Sequence, residues 1–218
     1  MMLRVAVLAS GRGSDLQSIL DAKSRGELPA AEVALVLSNV SDAPALERAR
    51  KAGVETLTLE SKRIPRERHE ELVAAELKTR GIGLVVLAGY MRVLSPHFFS
   101  LCKTPVINIH PALLPLFGGK GMYGEKVHEV VLASGAKYSG CTVHLVTAEV
   151  DAGPIILQKA VPVMPSDDVA SLAARVLEAE HRVLPYAVRL FSEDRVKLRA
   201  GKVVIERYAE VVRELELL

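Results

Sequence analysis

The chain has no tryptophan, four phenylalanines, five tyrosines and two cysteines among its 218 residues. Cys102 and Cys141 lie far apart in apolar surroundings, with no Cys-x-x-Cys or Cys/His ligand spacing around them. That argues against a structural zinc and leaves two small buried hydrophobes in a reducing compartment. Neither sign of charge is in excess, since 28 Lys and Arg stand against 26 Asp and Glu for a formal net charge of +2. A nucleic-acid binder usually carries a clustered basic surplus, so none is expected as a partner. No segment approaches the about 20 apolar residues of a membrane span. Val5–Ala9 is too short for a signal-peptide core, and the expected compartment is the cytoplasm. What is present is half hydrophobic and a quarter charged, the balance of a globular protein. A chain of this length buries roughly 70% of its unfolded surface and needs neither disulfide nor metal to hold a core.

The first half alternates strand and helix patterns. Leu3–Ala9, Val33–Leu37, Val54–Leu59, Leu84–Ala88 and Val106–Ile109 are short apolar runs rich in branched residues, the mark of strands covered on both faces. Between them, helices are expected after a Ser14 or Asp15 cap, over Asp42–Lys51, from Pro65 to about Arg80 and around Pro96–Leu101. Such alternation implies an α/β, Rossmann-like, doubly wound and mostly parallel sheet. After His110 the rhythm changes. A Pro- and Gly-rich loop precedes a helix at about Glu125–Ser134, and Tyr138–Thr147 and Pro154–Val163 read as two strands joined by the turn Glu149–Gly153. A connection so short joins antiparallel neighbours. A long helix then runs from an Asp167 or Asp168 cap to about Phe191, interrupted at Pro185, before a hairpin over Lys197–Arg207 and an acidic tail, Glu206–Leu218. The expected organisation is one mixed-sheet domain over residues 1–218, with a nucleotide-binding-like half (1–110) and a C-terminal half (111–218).

Ser10-Gly11-Arg12-Gly13 breaks the first strand and opens a helix. It is not a dinucleotide fingerprint, because the third glycine position is Leu16 and the second strand ends in Leu37-Ser38-Asn39 without a ribose-binding acid. Gly119-Lys120-Gly121 lacks the hydroxyl residue and the spaced glycine of a P-loop. The first loop is either a plain strand-to-helix turn or a site for one phosphate monoester, where Gly11 and Gly13 allow close backbone approach and the helix N-terminus offers N–H groups. Asn108 and His110 are two apart on a strand and share one face. Pro111 ends that strand and leaves both side chains at its C-terminal edge, where open α/β sheets bind ligands. Each unmet polar group there carries a desolvation cost of about 1–3 kcal/mol, so the pair needs partners or substrate. Asp151 lies in the turn before Gly153-Pro154.

Four segments occur in this order: Gly11-x-Gly13-Ser14-x-Leu16-Gln17, Ala88-Gly89-Tyr90-Met91-Arg92-x-Leu94-Ser95, Asn108-Ile109-His110-Pro111-Ala112-Leu113-Leu114-Pro115 and Asp151-Ala152-Gly153-Pro154-Ile155-Ile156. Together they resemble the phosphoribosylglycinamide formyltransferase family, over about Val5 to Pro185. The resemblance implies a single formyltransferase domain whose C-terminal half binds folate. The implied reaction moves the formyl group of 10-formyltetrahydrofolate, a co-substrate, to the amine of the ribonucleotide, without a metal. It implies Asn108, His110 and Asp151 as the catalytic set. The phosphate falls to Gly13, Ser14 and Asp15, and the glycinamide portion to Glu180. Folate contacts fall to Arg66, Met91, Arg92, Val93, Leu94, Asn108, Thr147, Ala148, Glu149, Val150 and Asp151. The implied partners are small molecules, with no nucleic acid or membrane, and the implied state is a monomer or homodimer.

Two positions depart from the family. Residue 15 is Asp where the family usually has Asn, and a carboxylate beside a phosphate repels it, so Asp15 is expected to cap the helix while Gly13 and Ser14 bind. The loop Phe117–Gly124 is longer than the Pro-Gly-x-His version of many members. In the implied chemistry the Asn108 amide and a protonated His110 both donate to the oxyanion, which is typically the largest catalytic term, and Asp151 moves the amine proton. Three other readings use the same residues or part of them. A formyltetrahydrofolate hydrolase would use water as acceptor and usually carries a further N-terminal domain. A methionyl-tRNA formyltransferase usually adds a C-terminal one, and a non-catalytic nucleotide-binding module would bind phosphate without transfer. The chain opens on strand one and closes on an acidic tail, which favours transfer to the ribonucleotide over the hydrolase and the methionyl-tRNA formyltransferase.

Overall fold

Residues 5–9 are wholly excluded from solvent, as expected of a strand with helices on both faces. The first four belong to β1 (Leu3–Leu8), which pairs in parallel with β2 (Ala31–Ser38) and β4 (Leu84–Leu87), while β2 pairs in parallel with the short β3 (Thr56–Thr58). The structure is a computed structural model and describes residues 2–217. It divides into two compact units at Ile107–Asn108. The strand order is β3-β2-β1-β4-β5-β6-β7, with a separate two-stranded sheet β8-β9, so the sheet is mostly parallel with an antiparallel C-terminal side as the patterning predicts.

In the first unit the strands alternate with α1 (Ser14–Ser24), α2 (Pro44–Lys51), α3 (Arg66–Thr79) and α4 (Pro96–Leu101). α1 departs from expectation at its start. Gly13, not Ser14 or Asp15, is the N-cap, with φ 72°, and no side chain caps the helix. The cause is steric. A Cβ on Gly13 would lie 2.7 Å from Ala45 Cβ, so only glycine lets α1 approach α2, and Ser14 is already helical. Asp15 then sits in the first turn, where a carboxylate complements the helix dipole without capping. Likewise α2 starts at Pro44 rather than Asp42, with proline in the first turn where its missing N–H costs nothing.

The second unit takes up β5 (Val106–His110) and continues with α5 (Glu125–Ser134), β6 (Tyr138–Leu145), β7 (Ile155–Pro162), α6 (Val169–Ser192), β8 (Val196–Arg199), β9 (Lys202–Ile205) and α7 (Tyr208–Leu217). β6 and β7 pair antiparallel, as the short turn requires. α6 starts at a reciprocal Asp168–Ser171 capping box, and the interruption expected at Pro185 does not occur. Proline inside a helix costs about 3 kcal/mol. Here it lies in a buried run, Val183 to Val188, and each fully buried aliphatic side chain returns about 1.5–3 kcal/mol. The acidic tail carries the helix α7, with Val211 fully buried and Arg189 Nη1 3.6 Å from Glu214 Oε2.

Two alanine substitutions separate conformation from contact at Gly13. Gly26 also has positive φ (78°), but a Cβ there meets nothing within 4 Å. Gly26→Ala should cost about 1–2 kcal/mol for the left-handed backbone alone, and Gly13→Ala at least about 1 kcal/mol more from the clash. Urea titrations of the two variants check this, and equal losses would contradict the tight helix approach.

Candidate active site

The second unit brings together Asn108, His110 and Asp151. Asn108 and His110 project from one face of β5, and a hydroxyl-amide network fixes the segment beyond them. Thr142 Oγ1 donates to Ala112 O (2.7 Å) and accepts from Leu114 N (3.0 Å), and Gln158 Nε2 donates to Leu114 O (2.8 Å). This delivers Phe117 to the site, where its carbonyl accepts from His110 Nε2 at 2.9 Å. The other ring nitrogen, Nδ1, lies 3.5 Å from Asp151 Oδ2. A carbonyl only accepts, so Nε2 carries a hydrogen, and the ring suits both neighbours when Nδ1 carries one too. In this geometry the carbonyl of Phe117 faces one ring nitrogen of His110 and the carboxylate of Asp151 faces the other.

Asp151 is held from three directions. Gly119 N donates to Oδ2 (2.9 Å), His110 faces the same oxygen, and His144 Nε2 lies 3.7 Å from Oδ1. Its side chain is only 11% exposed. Asp151 and Phe117 both have left-handed backbones, with φ 55° and 56°, a conformation non-glycine residues adopt rarely and mostly where a site demands it. Gly118 lies between them. A Cβ there would come 2.4 Å from Leu114 Cδ2 and 3.2 Å from Asp151 Cβ, so the loop can close on the carboxylate only through glycine. Lys120, next along, is exposed.

Two histidines at this site were not among the sequence candidates. His144 is 2% exposed, and burial holds its pKa below the ordinary histidine value. His128, on α5, is 5% exposed and lowered in the same way, first by burial and then by the charge of His110. The available signal was the one that marked Asn108 and His110: polar residues within apolar strand and helix patterns. Among the described residues no cluster of three His, Cys, Asp or Glu side chains is arranged to hold a metal ion.

The other predicted residues are placed as follows. In the second unit, Thr147 Oγ1 donates to Glu149 O (3.1 Å) to shape the turn, and Ala148, Glu149 and Val150 are exposed on it. Glu180 is a buried carboxylate on α6. In the first unit, Gly13, Ser14 and Asp15 begin α1. The loop before them is braced by α2, since Ala45 N donates to Gly11 O (3.1 Å) and Arg48 Nε to Arg12 O (2.9 Å). Met91 is 57% and Val93 52% exposed, Arg92 is half-buried, and Leu94 is buried at 4%. Met91 N donates to Ser10 Oγ (2.9 Å), tying this wall to the end of β1, and Ser10 Oγ donates to Asn39 (2.6 Å). Arg66 Nη2 donates to Val93 O (2.6 Å) and its Nε to Glu70 (3.2 Å). Burial pushes the Glu70 carboxyl up, but hydrogen bonds from Ser95 and Arg66 outweigh it and hold the group below its ordinary value. Arg66 thus also shapes the 91–95 segment. A groove of about 580 Å³ between α1 and α2, lined by Gln17, Asp21, Glu47, Arg48 and Lys51 among others, contains none of the predicted residues.

Comparison with known proteins gives a consistent result. The formyl transferase family profile matches residues 3–188. The phosphoribosylglycinamide formyltransferase of Escherichia coli (strain K12) is 40% identical over 197 residues, covering 90% of each chain. The trifunctional purine biosynthetic protein adenosine-3 of Gallus gallus is 39% identical over 203 residues, 92% of this chain but only 20% of that protein, so this chain spans about a fifth of its length. The crystal structure of glycinamide ribonucleotide transformylase 1 from Symbiobacterium toebii superposes with a TM-score of 0.87 at 44% identity, covering 94% of each chain.

The buried histidines make stability depend on pH. His69, His128 and His144 all have folded pKa values lowered by burial from 6.5. Below that value the unfolded chain takes up protons that the folded one refuses, so unfolding free energy falls with falling pH. Between pH 7.5 and 5.5 the loss should approach about 1.4 kcal/mol per pH unit for each such histidine in its window. Urea titrations at the two values check the sign; stability that is flat or rises toward acid would contradict it.

Proposed function

Since the chain belongs to the formyl transferase family and transfers a formyl group in purine biosynthesis, we propose that Asn108, His110 and Asp151 carry that transfer from a formyl tetrahydrofolate to the amine of phosphoribosylglycinamide. The amine attacks the formyl carbon and a C–N bond forms. The tetrahedral oxyanion accepts a hydrogen bond from the Asn108 amide, a contribution of about 3 kcal/mol for a well-placed donor. Asp151 accepts the proton of the attacking amine, directly or through a water, and returns it to the folate nitrogen as that C–N bond breaks. His110 faces the carboxylate and holds it in place. No covalent nucleophile is needed. The observation that carries this reading is the 3.5 Å approach of His110 Nδ1 to Asp151 Oδ2, made by residues 41 positions apart in the chain.

The reading assigns the ribonucleotide phosphate to Gly13 and Ser14 at the start of α1, with Asp15 beside them, and the glycinamide portion to Glu180. It assigns the folate to Met91, Arg92, Val93 and Leu94, to Arg66, and to Thr147–Asp151 with Asn108. What supports the phosphate assignment is a helix N-terminus with no side-chain cap; what supports the folate assignment is the exposed apolar pair Met91 and Val93. The proposal includes a cytoplasmic location, a metal-free reaction, and a monomer or homodimer. Among the described residues no helix is long and apolar enough to cross a membrane.

Incubation with 10-formyltetrahydrofolate and, separately, the ribonucleotide, formylatable Met-tRNA or water tests the acceptor. Formyl release dependent on the ribonucleotide alone is expected, and release into water at the same rate would favour the hydrolase instead. Asp151→Asn should abolish nearly all turnover while leaving ribonucleotide binding, measured by calorimetry, almost intact. A variant that keeps a tenth of the wild-type rate would rule out Asp151 as the proton carrier.

A further inference from the structure

His144 has no role in the chemistry above, yet its ring is the better-defined of the two that flank Asp151. Nδ1 lies 2.9 Å from the carbonyl of Leu145, and Nε2 lies 3.1 Å from Asn108 Nδ2. A carbonyl cannot donate, so Nδ1 carries the hydrogen, and in the neutral ring Nε2 is then a bare acceptor. A bare acceptor is satisfied by the NH₂ end of the amide and not by its oxygen, which fixes the amide's orientation.

We propose that His144 is the positioning residue for Asn108: its bare Nε2 takes one amide hydrogen and thereby turns the other toward the oxygen on which charge develops. This rests on the formyl-transfer reading. Burial favours the neutral ring that the arrangement needs. The charges acting on His144 are Asp151 from the turn and His110 from β5, and its partner across the ladder, Ile155 on β7, is apolar. A hydrogen on Nε2 would expel the Asn108 amide and turn the ring toward Asp151 Oδ1, so the neutral state is the competent one. His144 does not touch the reacting atoms. It removes a choice of rotamer from the group that does.

The test compares kinetics of wild type, His144→Leu, His144→Gln, Asn108→Ala and the Asn108→Ala/His144→Leu double variant. His144→Leu should lower kcat by about 30- to 300-fold, approaching the loss of an oxyanion donor, with both KM values within about threefold. His144→Gln, whose carbonyl also accepts, should keep within about tenfold of wild type. In the Asn108→Ala background His144→Leu should cost less than about threefold, because the group it positions is gone. An equal cost in both backgrounds, or an effect on KM alone, would overturn the proposal. A second readout is independent of turnover. Long-range ¹H–¹⁵N spectra of histidine-labelled protein at pH 7.5 should show His144 neutral with its hydrogen on Nδ1, and Asn108→Ala should shift its Nε2 resonance. A charged ring or the other tautomer would overturn the proposal in an active wild type. An inactive wild type would instead sink the formyl-transfer reading, and this proposal with it.

Discussion

The placement of one carboxylate organises the polar cluster of the second unit. Asp151 follows a strand, β6, but its own left-handed backbone turns the side chain back against β5. There it is nearly excluded from water, between two imidazoles and under the N–H of Gly119. A buried carboxylate is costly unless its lone pairs are met. Here the groups around them are a loop that supplies an N–H, a histidine that faces it directly and a second histidine whose Nε2 lies 3.1 Å from the Asn108 amide nitrogen. Lengthening or stiffening the Phe117–Gly119 segment therefore acts on Asp151 and His110 at once, because that segment gives one a donor and the other an acceptor.

The first unit contributes a different kind of order. The central strands β1, β2 and β4 are buried over their C-terminal residues, and past that edge lie Ser10 after β1, Ser38 at the end of β2 with Asn39 after it, and the Met91–Val93 segment after β4, in which Met91 and Val93 are exposed. Ser10 joins Asn39 to the backbone of Met91 through two hydrogen bonds. The glycine loop at the start of α1 is thus continuous, in hydrogen bonding, with the segment proposed to receive the folate. The glycine turn and the apolar wall are shaped by one network instead of two independent loops.

Much of this was legible in the sequence because the signals were local. Branched apolar runs gave the strands, and the pair Asn108 and His110, two apart before a proline, gave the face and the edge. What was not legible depended on distant contacts. Gly13 caps α1 because Ala45 leaves no room for a Cβ, and nothing near Gly13 in the sequence shows that. Pro185 lies inside an unbroken helix because its neighbours are buried, a fact of packing that overrides local propensity. α7 was hidden by its glutamates, although Tyr208, Val211, Val212 and Leu215 recur at helical spacing. His144 and the loop carbonyl of Phe117 escaped because a hydrogen-bond partner has no signature in composition.

A crystal structure with a bound adduct whose tetrahedral carbon carries a hydroxyl, mimicking the species formed as amine meets formyl, would test the account most directly. The account predicts that oxygen within about 3.2 Å of Asn108 Nδ2, with the Asp151 carboxylate in hydrogen-bond reach of the adduct's nitrogen. An oxygen bound instead by His110, or lying beyond about 4 Å from the amide, would contradict it.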